Sequence, residues 1–102
     1  MPLSSQQIRA LRAETHRLKL KPVVRIGQQG LTENVMQELE LTLAHHELIK
    51  VKIPALEKSE KDEFIHSMCT PLNAELVQMI GHVMVLFREN PEKKRYAKII
   101  KN

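Results

Sequence analysis

A short loop with a glycine at each end carries the most informative chemistry in this sequence. Gly27-Gln28-Gln29-Gly30 follows a β-branched run, precedes a helical pattern, and holds two of the three glycines in the chain. Glycines let the backbone approach a ligand closely, and the free N–H groups at the start of the next helix favour a phosphate. The loop therefore predicts a phosphate site, although a plain tight turn would use the same glycines.

Basic side chains accumulate before this loop. Arg25 is two residues ahead of the first glycine, and Lys19 and Lys21 lie just upstream. On the first predicted helix, four side chains fall on an arc of about 80° beside the apolar stripe, at 100° per residue: Arg9, Arg12, His16 and Lys19. The spacing thus predicts a helix with a basic face leading into the loop.

The residue patterns typical of catalysis and of metal binding are missing. His66 and Cys69 have i, i+3 spacing, but no second pair completes a metal site. His45 and His46 are neighbours that point about 100° apart on a helix, so they cannot act together as ligands. The loop lacks the third glycine of a dinucleotide fingerprint and the Lys-Ser/Thr end of a Walker loop. We therefore expect that the protein is not an enzyme and that it binds neither a cofactor nor a metal ion.

The charges form three blocks along the chain. Residues 1–26 hold six Lys or Arg and one acid, residues 27–87 hold four against nine, and residues 88–102 hold six against two. The net charge of +4 conceals this arrangement. If the two ends lie on the same side of the fold, the protein presents a basic face and an acidic back, as polyanion binders do. Solvated faces or tails are the alternative explanation.

Length and composition narrow the class of protein. The 102 residues make one domain, and a single cysteine excludes a disulfide scaffold and points to a reducing compartment. No apolar run approaches 18 residues and the N-terminus is polar, so we expect a soluble, cytoplasmic protein without a membrane contact. With only three aromatic residues, a platform that works by stacking bases is excluded.

Periodicity predicts the first half of the fold. Ser4 with Gln7 has capping-box spacing and begins a helix that Pro22 should stop, and residues 23–26 should form a strand. Thr32 should cap a second helix that ends near His45 or His46. Residues 48–53 alternate apolar and basic, which predicts a strand with one basic face. A connection containing a helix makes these two strands parallel with a right-handed crossover.

The second half is predicted to contain a helix and a hairpin. Ser59 should cap a third helix that Pro71 ends near Thr70. Residues 75–88 should form two antiparallel strands, because Gly81-His82 suits a type II′ turn. A basic, loosely ordered tail should follow residue 91. The resulting αβαβαββ order predicts an α+β domain over residues 1–91, with a mixed four-stranded sheet covered by helices, and a tail over 92–102.

Four linked blocks of sequence resemble a known family. They are residues 20–27 running into 30–35, then 45–52, then 78–81, then 85–88, and together they resemble a stand-alone bacterial CRM-domain protein of the YhbY type. The resemblance implies a fold similar to the C-terminal domain of translation initiation factor 3, a KH-like Gly-x-x-Gly loop at residues 27–30, and RNA binding. It also implies an association with precursors of the large ribosomal subunit.

The sequence departs from the family pattern at three places, which involve four residues. Gln28 and Gln29 are neutral where the family often has a small or basic residue, so loop contacts to phosphate would come from backbone or amide groups. His82 stands where the family usually has Lys, and Phe87 where it often has Tyr. The candidate RNA-binding residues are Arg9, Arg12, His16, Lys19, Lys21, Arg25, Gly27, Gln28, Gln29 and Gly30, with Arg88 and the tail cations as further candidates.

The sequence thus predicts a monomeric, non-enzymatic protein that binds ribosomal RNA and assists assembly of the large subunit. Two alternatives stay open. The domain could dock a ribosome-associated partner protein while the basic tail acts as a tether, or it could bind DNA, although no base-reading recognition helix is apparent.

Overall fold

The structure is a computed structural model that describes residues 3–101. Met1 and Pro2, at the start of the predicted polar N-terminus and domain, and Asn102, the last residue of the predicted tail, lie outside the described residues. The elements in chain order are α1 (Ser5–Arg17), β1 (Pro22–Arg25), α2 (Glu33–His46), β2 (Leu48–Lys52), α3 (Lys58–Leu72), β3 (Glu75–Ile80) and β4 (Val83–Phe87).

The four strands form one mixed sheet in the order β1-β2-β4-β3. β1 and β2 are parallel, as the helical connection between them predicts, and β4 runs antiparallel to both β2 and β3. The predicted hairpin is confirmed, and Gly81 has the positive φ of +56° that a type II′ turn requires at its first central residue. The carboxyl ends of β1 and β2 and the Gly81–His82 turn therefore share one end of the sheet, which we call the loop end.

Both faces of the sheet are covered, which explains the continuous apolar run in β4. Met84 and Leu86 point into one cluster, with α2 and α3, whereas Val85 and Phe87 point into the other, with Leu11 of α1. Successive residues of a strand alternate between faces, so a strand covered on both sides needs apolar residues throughout. We call the two sides the helix-pair face, under α2 and α3, and the α1 face.

The N-terminal helix begins as predicted and ends earlier than predicted. Ser4 and Gln7 form the capping box. The helix stops at Arg17, before Pro22, because Lys19 adopts a left-handed conformation with φ of +53°. The N–H of Lys19 donates to His16 and that of Leu20 to Thr15, which is the Schellman pattern. Pro22 instead begins β1, where its missing N–H is tolerated.

Both ends of the third helix were predicted wrongly. Glu57 occupies the N-cap, and its N–H donates to the Oε1 of Glu60 at 3.1 Å, which places Ser59 inside the first turn. The helix also continues through Pro71 to Leu72 and ends at Asn73, whose φ is +53°. A left-handed residue ends the helix here because its N–H and the next one can bond the last carbonyls, whereas Pro71 costs the helix one hydrogen bond.

The residues after β4 pack against the domain, contrary to the expectation of a loosely ordered tail. We call residues 89–101 the C-terminal segment. Tyr96, Ile99 and Ile100 pack into the cluster on the α1 face, beside Phe87. This cluster would otherwise be open to water, so burial of these side chains supplies the driving force for docking. The division of the chain at residue 91 stays a prediction.

Candidate nucleic-acid interface

The Gly-x-x-Gly loop borders a cleft of about 350 Å³ at the loop end of the sheet. Open α/β sheets often bind ligands outside the carboxyl ends of parallel strands, which is where this cleft lies. It brings together the end of β1, the loop, the residues after β2 and the β-hairpin turn. The lining residues are Arg25, Ile26, Gly27, Gln28, Lys52, Ile53, Pro54, Ala55 and His82.

Backbone hydrogen bonds fix the elements around this cleft. The N–H of Ile26 donates to the carbonyl of Lys52 at 2.8 Å, and the N–H of Ile53 donates to the carbonyl of His82 at 2.8 Å. The three chain segments that line the cleft are therefore held in one register. Because Ile26 and Ile53 are buried, these bonds lie beside the core and hold Arg25, Lys52 and His82 in place.

The loop itself is a tight turn that leaves room for a ligand. The N–H of Gly30 donates to the carbonyl of Gly27 at 3.0 Å, and Gly30 has a φ of +77°. A Cβ added at Gly27 would meet no atom within 4 Å. Within residues 3–101, the N–H groups of Gln28 and Gln29 have no backbone acceptor. The loop can therefore offer N–H donors to an oxyanion that approaches closely.

The positive end of α2 lies directly after the loop. Thr32 caps this helix by accepting a hydrogen bond from the N–H of Val35 at 3.2 Å, as the sequence predicts. The N–H of Thr32 in turn donates to the carbonyl of Gly30 at 3.0 Å, so the cap and the loop are one unit. Helix N-termini favour negative charge, which adds to the attraction from Arg25 and Lys52.

A row of exposed side chains crosses the α1 face next to the cleft. The strand register aligns Arg25 with Lys52, Lys52 with Val83, and Val83 with Ile80. The side chains next to the row along each strand point to the helix-pair face; they are Val24, Val51 and Met84. Because successive side chains of a strand alternate between faces, Arg25, Lys52 and Val83 point to the α1 face. Ile80 is 54% exposed. The row thus places two cations beside an uncovered apolar surface, which suits a nucleotide that has both a phosphate and an apolar ring.

The basic side chains of α1, Arg9, Arg12 and His16, are directed toward this row. We infer their direction from the position of the C-terminal segment on the other side of the helix. The C-terminal segment lies along one side of α1, since Gln7 bonds the carbonyl of Ile100 and Glu14 lies near Tyr96. Arg12 and His16 lie roughly 140° to 180° around the helix from that side. Because the segment occupies the end of the sheet at Phe87, the arc is directed to the loop end. Arg9, Arg12 and His16 are all exposed.

Two predicted cations lie farther from the loop than their place in the sequence suggests. Lys19 and Lys21 precede β1, whose first residue is at the opposite end of the sheet from Gly27. A strand rises by about 3.3 Å per residue, so Lys21 is on the order of 20 Å from Gly27 along the chain. Lys19 also ends α1 through its left-handed backbone. The structure therefore does not bring these two side chains into the cleft.

Arg88 is likewise placed away from the cleft. It follows the end of β4 that is remote from the Gly81–His82 turn. Its guanidinium donates to both carboxylate oxygens of Glu40, at 2.9 and 2.6 Å, and to the carbonyl of Leu72 at 3.0 Å. The guanidinium holds the pKa of Glu40 below its usual value, mainly through the hydrogen bond. These contacts tie α2 to the end of α3.

Two cleft residues were missing from the sequence-based site. Lys52 was assigned only to a basic strand face, and His82 only to the hairpin turn. Pairing of β1 with β2 and of β2 with β4 sets both beside Arg25. The sequence signal for Lys52 was its alternation with Ile53 and Val51. This alternation predicts on which face of the sheet Lys52 lies, but it does not predict which strand pairs beside it.

The acidic residues lie elsewhere. α3, which carries Glu60, Asp62 and Glu63, packs on the helix-pair face, and among the described residues none that lines the cleft is acidic. In residues 3–101 no group of three or more His, Cys, Asp or Glu is placed to hold a metal ion. Burial raises the pKa of Cys69 to about 11, which disfavours the thiolate that a metal or a nucleophilic reaction would need. Across the same residues, no helix is long and apolar enough to cross a membrane.

Several known proteins are similar to this chain in sequence, and one solved structure is similar in fold. An RNA-binding protein of Haemophilus influenzae is 42% identical over 92 residues, which cover 90% of this chain and 91% of that protein. YqeI of Bacillus subtilis, named a "probable RNA-binding protein", is 30% identical, with 91% and 95% coverage. The solution structure of SAV1595 from Staphylococcus aureus matches with a TM-score of 0.77, 34% identity, and coverage of 92% of this chain and 96% of that one.

The model of the CRS1/YhbY (CRM) domain matches residues 3–88. This range contains all four sequence blocks and the whole αβαβαββ fold, from α1 to the end of β4. The resemblance stated from the sequence is therefore confirmed, and the chain belongs to the CRS1/YhbY (CRM) domain family.

Proposed function

We propose that this protein binds RNA, with the cleft at the loop end as the main contact. The observation that carries the proposal is the convergence of Arg25, Lys52 and the Gly27–Gly30 loop around one cleft, whose lining in residues 3–101 contains no acid. The names of the relatives from H. influenzae and B. subtilis support RNA as the ligand.

The geometry favours a grip on the RNA backbone over recognition of base sequence. N–H groups of the loop and the positive end of α2 would hold one phosphate, and Arg25 and Lys52 the neighbouring one. KH-like loops clamp backbone nucleotides in this way. Arg9, Arg12 and His16 on α1 would contact phosphates of the same RNA farther along. Specificity would then depend on RNA shape.

For the biological target we propose ribosomal RNA within precursors of the large ribosomal subunit, bound in the cytoplasm by a monomer that assists assembly. The family resemblance supports this target. A surface that reads RNA shape and phosphates suits structured ribosomal RNA better than a short single-stranded sequence. No catalytic step is part of the proposal.

The sharpest test is Gly27→Asp, because the backbone at Gly27 tolerates a side chain. No atom lies within 4 Å of an added Cβ, whereas Gly30 has a φ of +77° that strains any other residue. The new carboxylate would repel phosphate, and we expect at least a tenfold loss of affinity for an RNA hairpin with a stem of about 16 base pairs. Affinity is measured by fluorescence anisotropy, and circular dichroism checks the fold.

Ser67→Asp is the matched control. Ser67 is exposed on α3, so this variant adds the same charge far from the cleft, and its affinity should stay near that of the parent.

The parent should lose on the order of a thousand-fold in affinity between 50 and 200 mM salt if six to eight phosphates are neutralised. A folded Gly27→Asp protein with unchanged affinity would instead favour the protein-docking alternative, and equal affinity for duplex DNA at matched salt would favour DNA.

A further inference from the structure

The C-terminal segment is an ordered, basic surface that the family domain does not include. The domain match ends at residue 88, and the segment covers residues 89–101. Residues 93–101 hold five cations and no acid. A tether would need no fixed position, yet this segment is bound to the domain at its beginning and at its end.

A buried carboxylate fixes the beginning of the segment. Glu47 is fully buried between α2 and β2, with a φ of +67°. Its Oε2 accepts the N–H of Asn90 at 2.8 Å and its Oε1 accepts the N–H of Arg95 at 3.0 Å, while its carbonyl accepts the N–H of Arg88 at 2.9 Å. A buried carboxylate is costly unless it is hydrogen-bonded, so these bonds couple Glu47 to the docked segment.

Apolar contacts and a terminal hydrogen bond fix the remainder. The ring of Tyr96 meets that of Phe87 edge to face, with centroids 6.1 Å apart, and Ile99 and Ile100 pack into the same cluster. The Nε2 of Gln7 donates to the carbonyl of Ile100 at 2.7 Å. The segment is therefore held by Glu47 at its beginning and, farther along, by the apolar cluster on the α1 face and by Gln7.

Docking leaves the cationic side chains available. Glu47 binds Arg95 through its backbone N–H, and the Arg95 side chain stays exposed. In the described part of the chain the two salt bridges are Arg17–Glu14 and Arg88–Glu40, so neither uses a cation of residues 93–101. The exposed cations of the segment are Lys93, Lys94, Arg95, Lys98 and Lys101.

These charges lie beside further basic groups at the end of α2. The rings of His45 and His46 are 4.5 Å apart, and the pKa of His46 is lowered first by burial and then by His45, Arg95 and Lys93. Like charges held close together repel one another, and a phosphate placed among them would relieve that repulsion. The segment thus has the charge pattern of an anion-binding surface.

We propose that the docked C-terminal segment is a second phosphate-binding surface for the same RNA. This inference rests on the proposed function. The segment begins at the end of the sheet that carries Leu48 and Phe87, opposite the loop end. Strands of this length separate the two ends by roughly 15–20 Å. One molecule therefore contacts structured RNA at two separate places, with Glu47 holding the second surface in position.

The test is a double neutralisation, Lys93→Gln with Lys98→Gln, which leaves the apolar contacts of the segment intact. Each phosphate contact adds about 0.7 to 0.9 to the slope of log affinity against log salt, so the magnitude of this slope should fall by about 1.4 to 1.8 with the same RNA hairpin. Lys58→Gln with Lys61→Gln, on α3, removes the same charge from the helix-pair face and should leave the slope unchanged.

Glu47→Gln tests the docked state separately. We expect faster trypsin cleavage within residues 93–98 and a weaker hairpin affinity, because the carboxylate that holds Asn90 and Arg95 is removed. The inference is overturned if the Lys93/Lys98 variant and its Lys58/Lys61 control have equal slopes. In that case the proposed function still stands if Gly27→Asp weakens RNA binding. If neither Gly27→Asp nor the Lys93/Lys98 variant weakens RNA binding, the proposed function and this inference are both wrong.

Discussion

Two glycines in one loop have different physical roles. Gly30 is needed by the fold, because its φ of +77° lies in a region that other residues adopt only with strain. Gly27 has no such requirement, and space is open around its Cα. Under the proposed function, Gly27 would serve ligand approach, whereas Gly30 is required by the turn. A substitution at Gly27 reports on binding, whereas one at Gly30 changes folding as well.

Ile80 allows the apolar part of the interface to be tested apart from the charges. Ile80→Ser should weaken hairpin binding several-fold while leaving the salt slope unchanged, because the lost contact is apolar. Leu41→Ser is the control, since Leu41 is 72% exposed on α2, away from the row. Fluorescence anisotropy across a salt series measures both quantities. Equal affinities of the two variants for the hairpin would show that Ile80 is not part of the interface.

At the scale of elements, helix ends depend on left-handed residues more than on prolines. Lys19 and Asn73 end α1 and α3, whereas the prolines that the sequence predicts as helix stops, Pro22 and Pro71, do not end them. Proline is a visible signal in a sequence, whereas a non-glycine residue with positive φ is not. The strands and α2 were predictable because alternation and Thr32 capping are local patterns.

Asn73 should stabilise the end of α3 through its conformation. Asn73→Ala should lower the free energy of unfolding by about 1 kcal/mol, because alanine tolerates the φ of +53° less well. Asn73→Gly should be at least as stable as the parent, since glycine adopts this conformation freely. Urea unfolding followed by circular dichroism measures both. Equal stability of the alanine and glycine variants would contradict this explanation.

At the scale of the whole molecule, the three charge blocks become two faces. α1 and the C-terminal segment, from the two basic blocks, both cover the α1 face of the sheet. α2 and α3, from the acidic block, cover the helix-pair face. Described residues of both basic blocks therefore contribute to one face of the sheet, which is the arrangement that the idea of a basic face and an acidic back requires. Such separation of charge orients a polyanion toward one face as it approaches.

The C-terminal segment should contribute to global stability as well as to charge. A chain ending at residue 91 loses the packing of Tyr96, Ile99 and Ile100 and one hydrogen bond to Glu47. We expect it to fold, consistent with the predicted division at residue 91, but with a free energy of unfolding lower by roughly 2–4 kcal/mol in urea titrations. Unchanged stability would show that the segment is not part of the core, and failure to fold would place the boundary later.

The αβαβαββ order, the sheet type, the Gly-x-x-Gly loop and the family could be predicted from the residues alone, because capping, alternation and turn residues are local signals. Which cations meet at the loop depends on strand pairing, which these local signals do not specify. Strand pairing brings Lys52 and His82 to Arg25, whereas the length of β1 separates Lys21 from the loop although it is closer in sequence. Docking of the C-terminal segment also required the fold, since the apolar cluster that receives Tyr96 exists only after α1 and the sheet have packed.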